Sequence, residues 1–210
     1  MQIRQFQVQR MSAPRDFQPI ENRPIDLEIG AGKGKHAVMF CEGHPQSTLY
    51  AIERTKEKFN FMAKTHQTQA LDNLHPIHAD AIPWITHAIF PEQVNTCFIL
   101  YPNPEPHNSA QRWLNMPFFE LLLSRVRAGG TIILASNIAE YIAEAETQLN
   151  RVWQLPYVKE KISSDSARTH FEVKYLERGE LCQQLVISKP HGYHTRFDTF
   201  LPLHGKQHAE

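Results

Sequence analysis

The sequence predicts an α/β protein, a doubly wound and mostly parallel sheet with an antiparallel C-terminal hairpin. Three observations predict it. Strand-like apolar runs alternate with helical segments five times along the chain. A glycine-rich turn, Gly30-Ala31-Gly32-Lys33-Gly34, follows the first strand directly. The polar residues that punctuate the chain fall at the carboxyl ends of the strands, where open sheets of this class bind ligands.

The elements follow in order. Residues 1–22 mix Gln, Arg, Pro and Asp with scattered aromatics, and read as an irregular arm or a short edge element. The main domain is expected over 23–190, with 191–210 a loop-like tail. Pro24 to Ile29 is a short apolar strand, and Lys35 to Cys41 a helix start. Thr48 to Ile52 is a strand ending at Glu53, followed by an amphipathic helix from Thr55 to about Gln69 with Phe59, Met62 and Ala63 on one face. Leu74 to His78 is the third strand, and Pro83-Trp84-Ile85 opens another helix. The near-continuous apolar run Thr96 to Tyr101 suits a central strand covered on both faces. Tyr101-Pro102-Asn103-Pro104-Glu105-Pro106 then excludes helix and interior strand alike. Pro117 to Val126 is a helix stopped by Arg127-Ala128-Gly129-Gly130, Thr131 to Ala135 a buried strand, and Ile138 to about Leu155 a helix. Phe171 to Tyr175 and Leu181 to Ser188, joined through Glu177-Arg178-Gly179-Glu180, read as the hairpin.

Composition narrows the function classes. The 210 residues allow one domain with a sizeable core. Basic and acidic residues number 22 each, so no global positive field advertises nucleic acid, which leaves room for local patches only. Cys41, Cys97 and Cys182 lie far apart and read as buried free thiols in a reducing compartment, not as a zinc site. No apolar run reaches the ~18 residues of a membrane span, and Met1 to Arg10 lacks the apolar stretch of a signal peptide, so the cytoplasm is expected and no membrane partner. His191, His194, His204 and His208 crowd the tail without metal-ligand spacing, so no metal is expected there. His36, His66, His75 and His87 read as surface or helix-packing residues.

The motifs describe a pocket. Gly30, Gly32 and Gly34 let the backbone turn sharply and lie against a ligand, with the next helix aiming its amides into the same space. The spacing is neither that of nicotinamide enzymes nor that of a P-loop. Glu28, at the end of the first strand, suits a ligand cation such as an amino group. Glu53 can accept from both hydroxyls of a ribose. Asp80, followed by Ala81, can accept from an adenine amino group or cap the next helix. Together they fit S-adenosylmethionine better than a dinucleotide. Two prolines frame Asn103 and aim its amide at the pocket. In Thr169-His170-Phe171-Glu172 a hydroxyl and a carboxylate could hold a base edge, the carboxylate taking guanine N1–H and the N2 amino group; ordinary strand residues are the plainer reading.

Leu27-Glu28-Ile29-Gly30-x-Gly32-Lys33-Gly34, Ala51-Ile52-Glu53, Ala79-Asp80-Ala81, Pro102-Asn103-Pro104-x-Pro106, and Thr169-x-Phe171-Glu172-x-Lys174-Tyr175 with Gly179 together resemble the bacterial tRNA (guanine-N7)-methyltransferases, over about residues 25–189. The resemblance implies a Rossmann-like class I methyltransferase fold. It implies contacts to S-adenosylmethionine from Glu28, Glu53, Asp80 and Asn103, and to the guanine-bearing substrate from His107, Asn137 and Thr169 to Glu172, with tRNA as the partner. The chain departs from the pattern. Asn103 replaces an aspartate, Glu105 a tryptophan, and Asn137 another aspartate. The family's basic run after the proline motif becomes His107-Asn108-Ser109-Ala110-Gln111-Arg112, with only Arg112 basic. These changes weaken phosphate contacts before they weaken chemistry. A methyltransferase of another substrate, or a cofactor-binding partner protein without transferase activity, stays open beside the first reading. Oligomeric state is not legible.

Overall fold

The computed structural model describes residues 4–15, 17–18 and 20–202. Among the described residues, seven strands form one sheet in the order β3-β2-β1-β4-β5-β7-β6. They are β1 (Ile25–Ile29), β2 (Leu49–Glu53), β3 (Leu74–His78), β4 (Val94–Leu100), β5 (Val126–Ser136), β6 (Tyr157–Lys161) and β7 (Gln183–Ser188). The first five run parallel, and β7 lies antiparallel to both β5 and β6. Among the described residues, six α-helices accompany them: α1 (Lys35–Gly43), α2 (Lys56–Gln69), α3 (Ala81–Ala88), α4 (Phe118–Arg125), α5 (Ala139–Gln148) and α6 (His170–Glu177).

The period of two along each strand builds two cores. Ile25, Leu27 and Ile29 of β1 face one way, packing with Trp84 of α3, Phe118 of α4 and Ile142 of α5. Leu49 and Ala51 of β2 face the other way, with Ala37 and Cys41 of α1 and Met62 of α2. Helices therefore cover both faces, which explains why β1 and β2 are buried along their whole length. Strand order reverses between β1 and β4, so the crevice outside their carboxyl ends is the expected ligand site.

The hairpin is confirmed as a topology and corrected in its parts. Phe171–Tyr175 is not a strand: it lies inside α6, and the partner of β7 is β6. The Thr169 side chain caps α6 by accepting from Glu172 N at 2.9 Å, so Thr-x-x-Glu is a helix start that overrides the aromatic and β-branched content after it. β6, Tyr-Val-Lys-Glu-Lys, is the outermost strand, and its last four residues are exposed. Such charge protects an edge from pairing and hides the strand from a search for apolar runs.

The glycine stop after α4 is also part of a strand. β5 begins at Val126, and its register with β4 jumps between Val126 and Thr131. Gly129 takes a positive φ of 75° there, and a Cβ on Gly130 would sit 2.8 Å from the Asn95 carbonyl oxygen. The arm is threaded onto the domain and forms no strand among its described residues. Phe6 packs edge-on against Phe118, His87 bonds the Met11 carbonyl at 2.9 Å, and the buried Gln93 amide donates to the carbonyls of Glu21 and Arg23. The three cysteines are free and buried. His204 and His208 lie outside the described residues; among the described ones no metal-ligand cluster occurs and no helix is long and apolar enough to cross a membrane.

Candidate active site

The crevice holds two adjoining cavities, of about 550 and 220 Å³, that share Gly30, Gly32, Lys58, Leu100, Tyr101 and Phe171 as walls. The larger one gathers Glu53, Asp80, Ala81, Asn103 and Tyr175, and the smaller one Glu28, His36, Thr169 and His170. Residues from four strand ends thus meet in one place, together with the first turn of α6.

The glycine loop is the floor. Gly30 N and Ala31 N both donate to the Ile52 carbonyl at 2.9 Å, which ties the turn to β2. Gly30 and Gly32 have φ of 77° and 60°, and a Cβ on either would meet nothing within 4 Å. The space above them is open to a ligand lying against the backbone. Gly34 differs: it lines neither cavity, has φ of 81°, and a Cβ there would sit 2.5 Å from Met62 Cγ. It lets α1 start where α2 packs across it.

Two carboxylates stand over this floor. Glu53 is 6% exposed and accepts from Gly32 N at 2.9 Å and Thr55 N at 2.6 Å. Each oxygen keeps a lone pair for a hydroxyl donor. Glu28 is 2% exposed, and its Oε2 meets His36 Nδ1 at 3.1 Å. His36 packs against Phe98 at 4.6 Å between centroids, so the ring is held from two sides. It does pack a helix against the sheet, and it also orients Glu28, a role that spacing did not suggest. Asp80 caps α3 by accepting from Ile82 N at 3.0 Å, while still lining the larger cavity. An exposed carboxylate with one backbone partner keeps acceptor capacity for an amino group.

The proline motif closes the other side. Tyr101 has φ of 52°, a strained conformation for an aromatic residue, and Glu105 has φ of 46°. Asn103 is exposed on the wall, its Oδ1 accepting from Glu105 N at 3.4 Å, so part of its acceptor capacity shapes its own loop. Arg112 Nε donates to the Pro104 carbonyl at 2.8 Å, and its Nη1 pairs with Glu144. The one basic residue left after the motif is therefore a brace, with a side chain only 12% exposed.

Behind the cavities lies a polar hub that sequence reasoning missed. The Glu172 carboxylate is fully buried and accepts from the Tyr101 hydroxyl at 2.7 Å, Ser166 at 2.5 Å, Arg168 N at 3.1 Å and the Arg168 guanidinium at 2.7 Å. Burial alone would raise its pKa, but donors from Arg168, Ser166 and Tyr101 outweigh it and hold the carboxyl down at about 2. Burial and the bonds to Cys182 and Glu172 push the Tyr101 phenol well above its ordinary range. The hub anchors the strained Tyr101 to the first turn of α6 and so positions Phe171, which is 46% exposed and stacked on Tyr175 at 6.0 Å. The Arg168–Glu172 spacing of four residues, joined to the Thr-x-x-Glu cap, is the signal that could have found it.

Of the expected site residues, His107 and Asn137 do not reach the crevice. His107 sits exposed in a turn, and the Asn137 amide donates to Glu180 at 2.6 Å. Glu172 lies beneath the walls and not on them.

A parallel sheet with a glycine loop at its switch point, a buried carboxylate beside that loop and another at the next strand end defines a Rossmann-like methyltransferase. Comparison with known proteins agrees. A solved S-adenosylmethionine-dependent methyltransferase from Aquifex aeolicus superposes with a TM-score of 0.54 at 12% identity, covering 80% of this chain and 84% of that one. The family described as "Putative methyltransferase" matches residues 22–186, and the chain belongs to it. Curated relatives carry the name tRNA (guanine-N(7)-)-methyltransferase. The protein of Rhodococcus jostii is 29% identical over 86% of this chain and 70% of its own length. That of Nitrosospira multiformis is 27% identical over 80% and 76%.

Proposed function

We propose that this enzyme transfers a methyl group from S-adenosylmethionine to N7 of a guanine in tRNA. The observation that carries the reading is the convergence of Glu28, the open floor at Gly30 and Gly32, and Glu53 on one crevice, with the Asn103 wall opposite. These residues fit the cofactor: Glu28 for the amino group, Glu53 for the ribose hydroxyls, Asp80 and Ala81 for the adenine edge. The cofactor supplies an electrophilic methyl on a cationic sulfur. Guanine N7 carries a lone pair and bears no proton, so no general base is required. The chain's task is alignment and exclusion of water, and proximity supplies much of the rate. Phe171 and Tyr175 offer an apolar wall for the base. Thr169 and His170 line the smaller cavity beside it, and Asn103 the larger one.

A second reading, a methyltransferase of a less anionic substrate, is favoured by one observation: Arg112 is committed to Glu144 and Pro104 and offers no free charge to a phosphate. The test mixes purified protein with methyl-labelled cofactor and cellular RNA, then digests to nucleosides. Label in 7-methylguanosine from tRNA upholds the first reading. Label in another base moves the target within RNA, and label gained instead by the protein and small-molecule fraction of a parallel extract upholds the second. Cofactor binding without transfer identifies an inactive relative.

A further inference from the structure

We infer that RNA enters this site across the glycine-loop lip and the outer face of α2, with Lys33, Lys58 and Lys64 as phosphate contacts and Phe61 as a stacking ring. The inference rests on the RNA reading above and assigns it a surface. Charge is balanced over the whole chain but not evenly placed. Between residues 33 and 64 lie Lys33, Lys35, Arg54, Lys56, Lys58 and Lys64, against Glu42, Glu53 and Glu57. Glu53 is buried and bonded to the glycine loop, which leaves six cations facing two exposed carboxylates. Among the described residues, none of these six cations pairs with a carboxylate within 4.0 Å.

On the opposite side of the crevice several cations are already paired, although Lys161 and Lys174 are exposed there without a carboxylate within 4.0 Å among the described residues. Arg112 is paired with Glu144, Lys159 with Glu146, Arg168 with Glu172 and Arg178 with Glu180. Phosphates approaching along the proline motif itself would meet Arg112, already committed to Glu144 and the Pro104 carbonyl.

The α2 face also carries a ring. Phe61 is 51% exposed, far from the core that Met62 joins one residue later, and Lys33 Nζ lies 5.2 Å over it. Lys58, Phe61 and Lys64 follow at three-residue steps, so they form one stripe on the helix. Lys33, Lys35 and Lys58 line the smaller cavity, so the stripe continues the lip of the crevice. Unpaired cations interleaved with an exposed aromatic suit a polynucleotide, whose backbone takes the charges and whose unpaired base takes the ring.

The test uses Lys64→Glu and Phe61→Ser in the full chain, both outside the cavities, with circular dichroism melting as the folding check. Binding of fluorescent tRNA is read by anisotropy across a salt series, and S-adenosylhomocysteine affinity by calorimetry. Lys64→Glu should flatten the log K against log salt slope by about one. Phe61→Ser should weaken tRNA binding about 5- to 150-fold. Cofactor-product affinity should stay at the parent value. Parent-like tRNA binding and slope in both variants would overturn this surface and leave the guanine reading standing. A parent protein without salt-sensitive tRNA binding would overturn both. If instead the parent binds vesicles of phosphatidylcholine with phosphatidylglycerol, and the variants lose that binding but not tRNA, the patch serves a membrane and the assignment to RNA is wrong.

Discussion

Replacing Glu172 by Gln separates two roles for this carboxylate, reading a base or holding the wall together. The geometry favours the second. Glu172 is fully buried and takes donors from Tyr101, Ser166, the Arg168 backbone and the Arg168 guanidinium. A glutamine keeps the shape but removes the charge, and turns an amide donor toward groups that are donors themselves. The gap between a folded pKa of about 2 and the ordinary 4.5 corresponds to about 3 kcal/mol of stability at neutral pH. Because the folded value is depressed, that stability is present above pH 4.5 and is lost as pH falls toward 2. By pH 3 about 2 kcal/mol of it is gone. The variant has no such dependence. Urea denaturation should therefore show Glu172→Gln about 3 kcal/mol less stable than the parent at pH 7, and only about 1 kcal/mol less at pH 3. The melting temperature at pH 7 should fall by about 6–12 °C. A stability gap that is equal at both pH values, or under about 1 kcal/mol at pH 7, would refute the hub. Turnover lost at unchanged stability would restore Glu172 to the substrate.

Three further expectations follow from the same structure. Glu53→Ala should weaken S-adenosylhomocysteine binding by about 1–3 kcal/mol in calorimetry, since it removes the carboxylate proposed for the ribose hydroxyls and its bond to Gly32 N; unchanged affinity would take Glu53 out of the site. Asn103→Asp should preserve or raise methylation of guanine, because a charged acceptor is about twice as strong as a neutral one, whereas a fall of about 100-fold at constant cofactor affinity would mean that the substrate presents an acceptor to the Asn103 amide. Burial pushes the Cys41 thiol up to about 12 and raises Cys97 and Cys182, so all three should resist iodoacetamide at pH 8 until urea unfolds the chain; modification of the native protein would contradict their burial.

Most of the sheet was legible because its signals are local. Five apolar runs, each broken by glycine, proline or a polar strand end, are the five parallel strands within a few residues. The glycine loop and Glu53 were legible for the same reason, since a ligand lying on backbone demands glycine and a strand end limits what can face it. What escaped was decided by a partner distant in sequence in one case and by a local helix cap in the other. The strand Tyr157–Lys161 has no apolar run because it is an edge, and only its pairing with Gln183–Ser188 makes it a strand. The segment Phe171–Tyr175 has strand-like residues, and its cap at Thr169 decided for helix.

The sequence by itself determined the fold class, the crevice at the switch point and the carboxylates over the glycine floor, because those follow from periodicity and from chemistry carried within short segments. Only the tertiary structure decided which charges are free. Glu172 reads as a substrate group, and Arg112 as the last basic residue after the proline motif, until Tyr101 and Glu144 are brought against them across 71 and 32 residues of chain. That the lysines of α2 lack carboxylate partners is likewise seen only in the structure. A side chain's availability is a property of everything packed around it, and spacing along one segment shows only its local partners, as with Arg168 and Glu172.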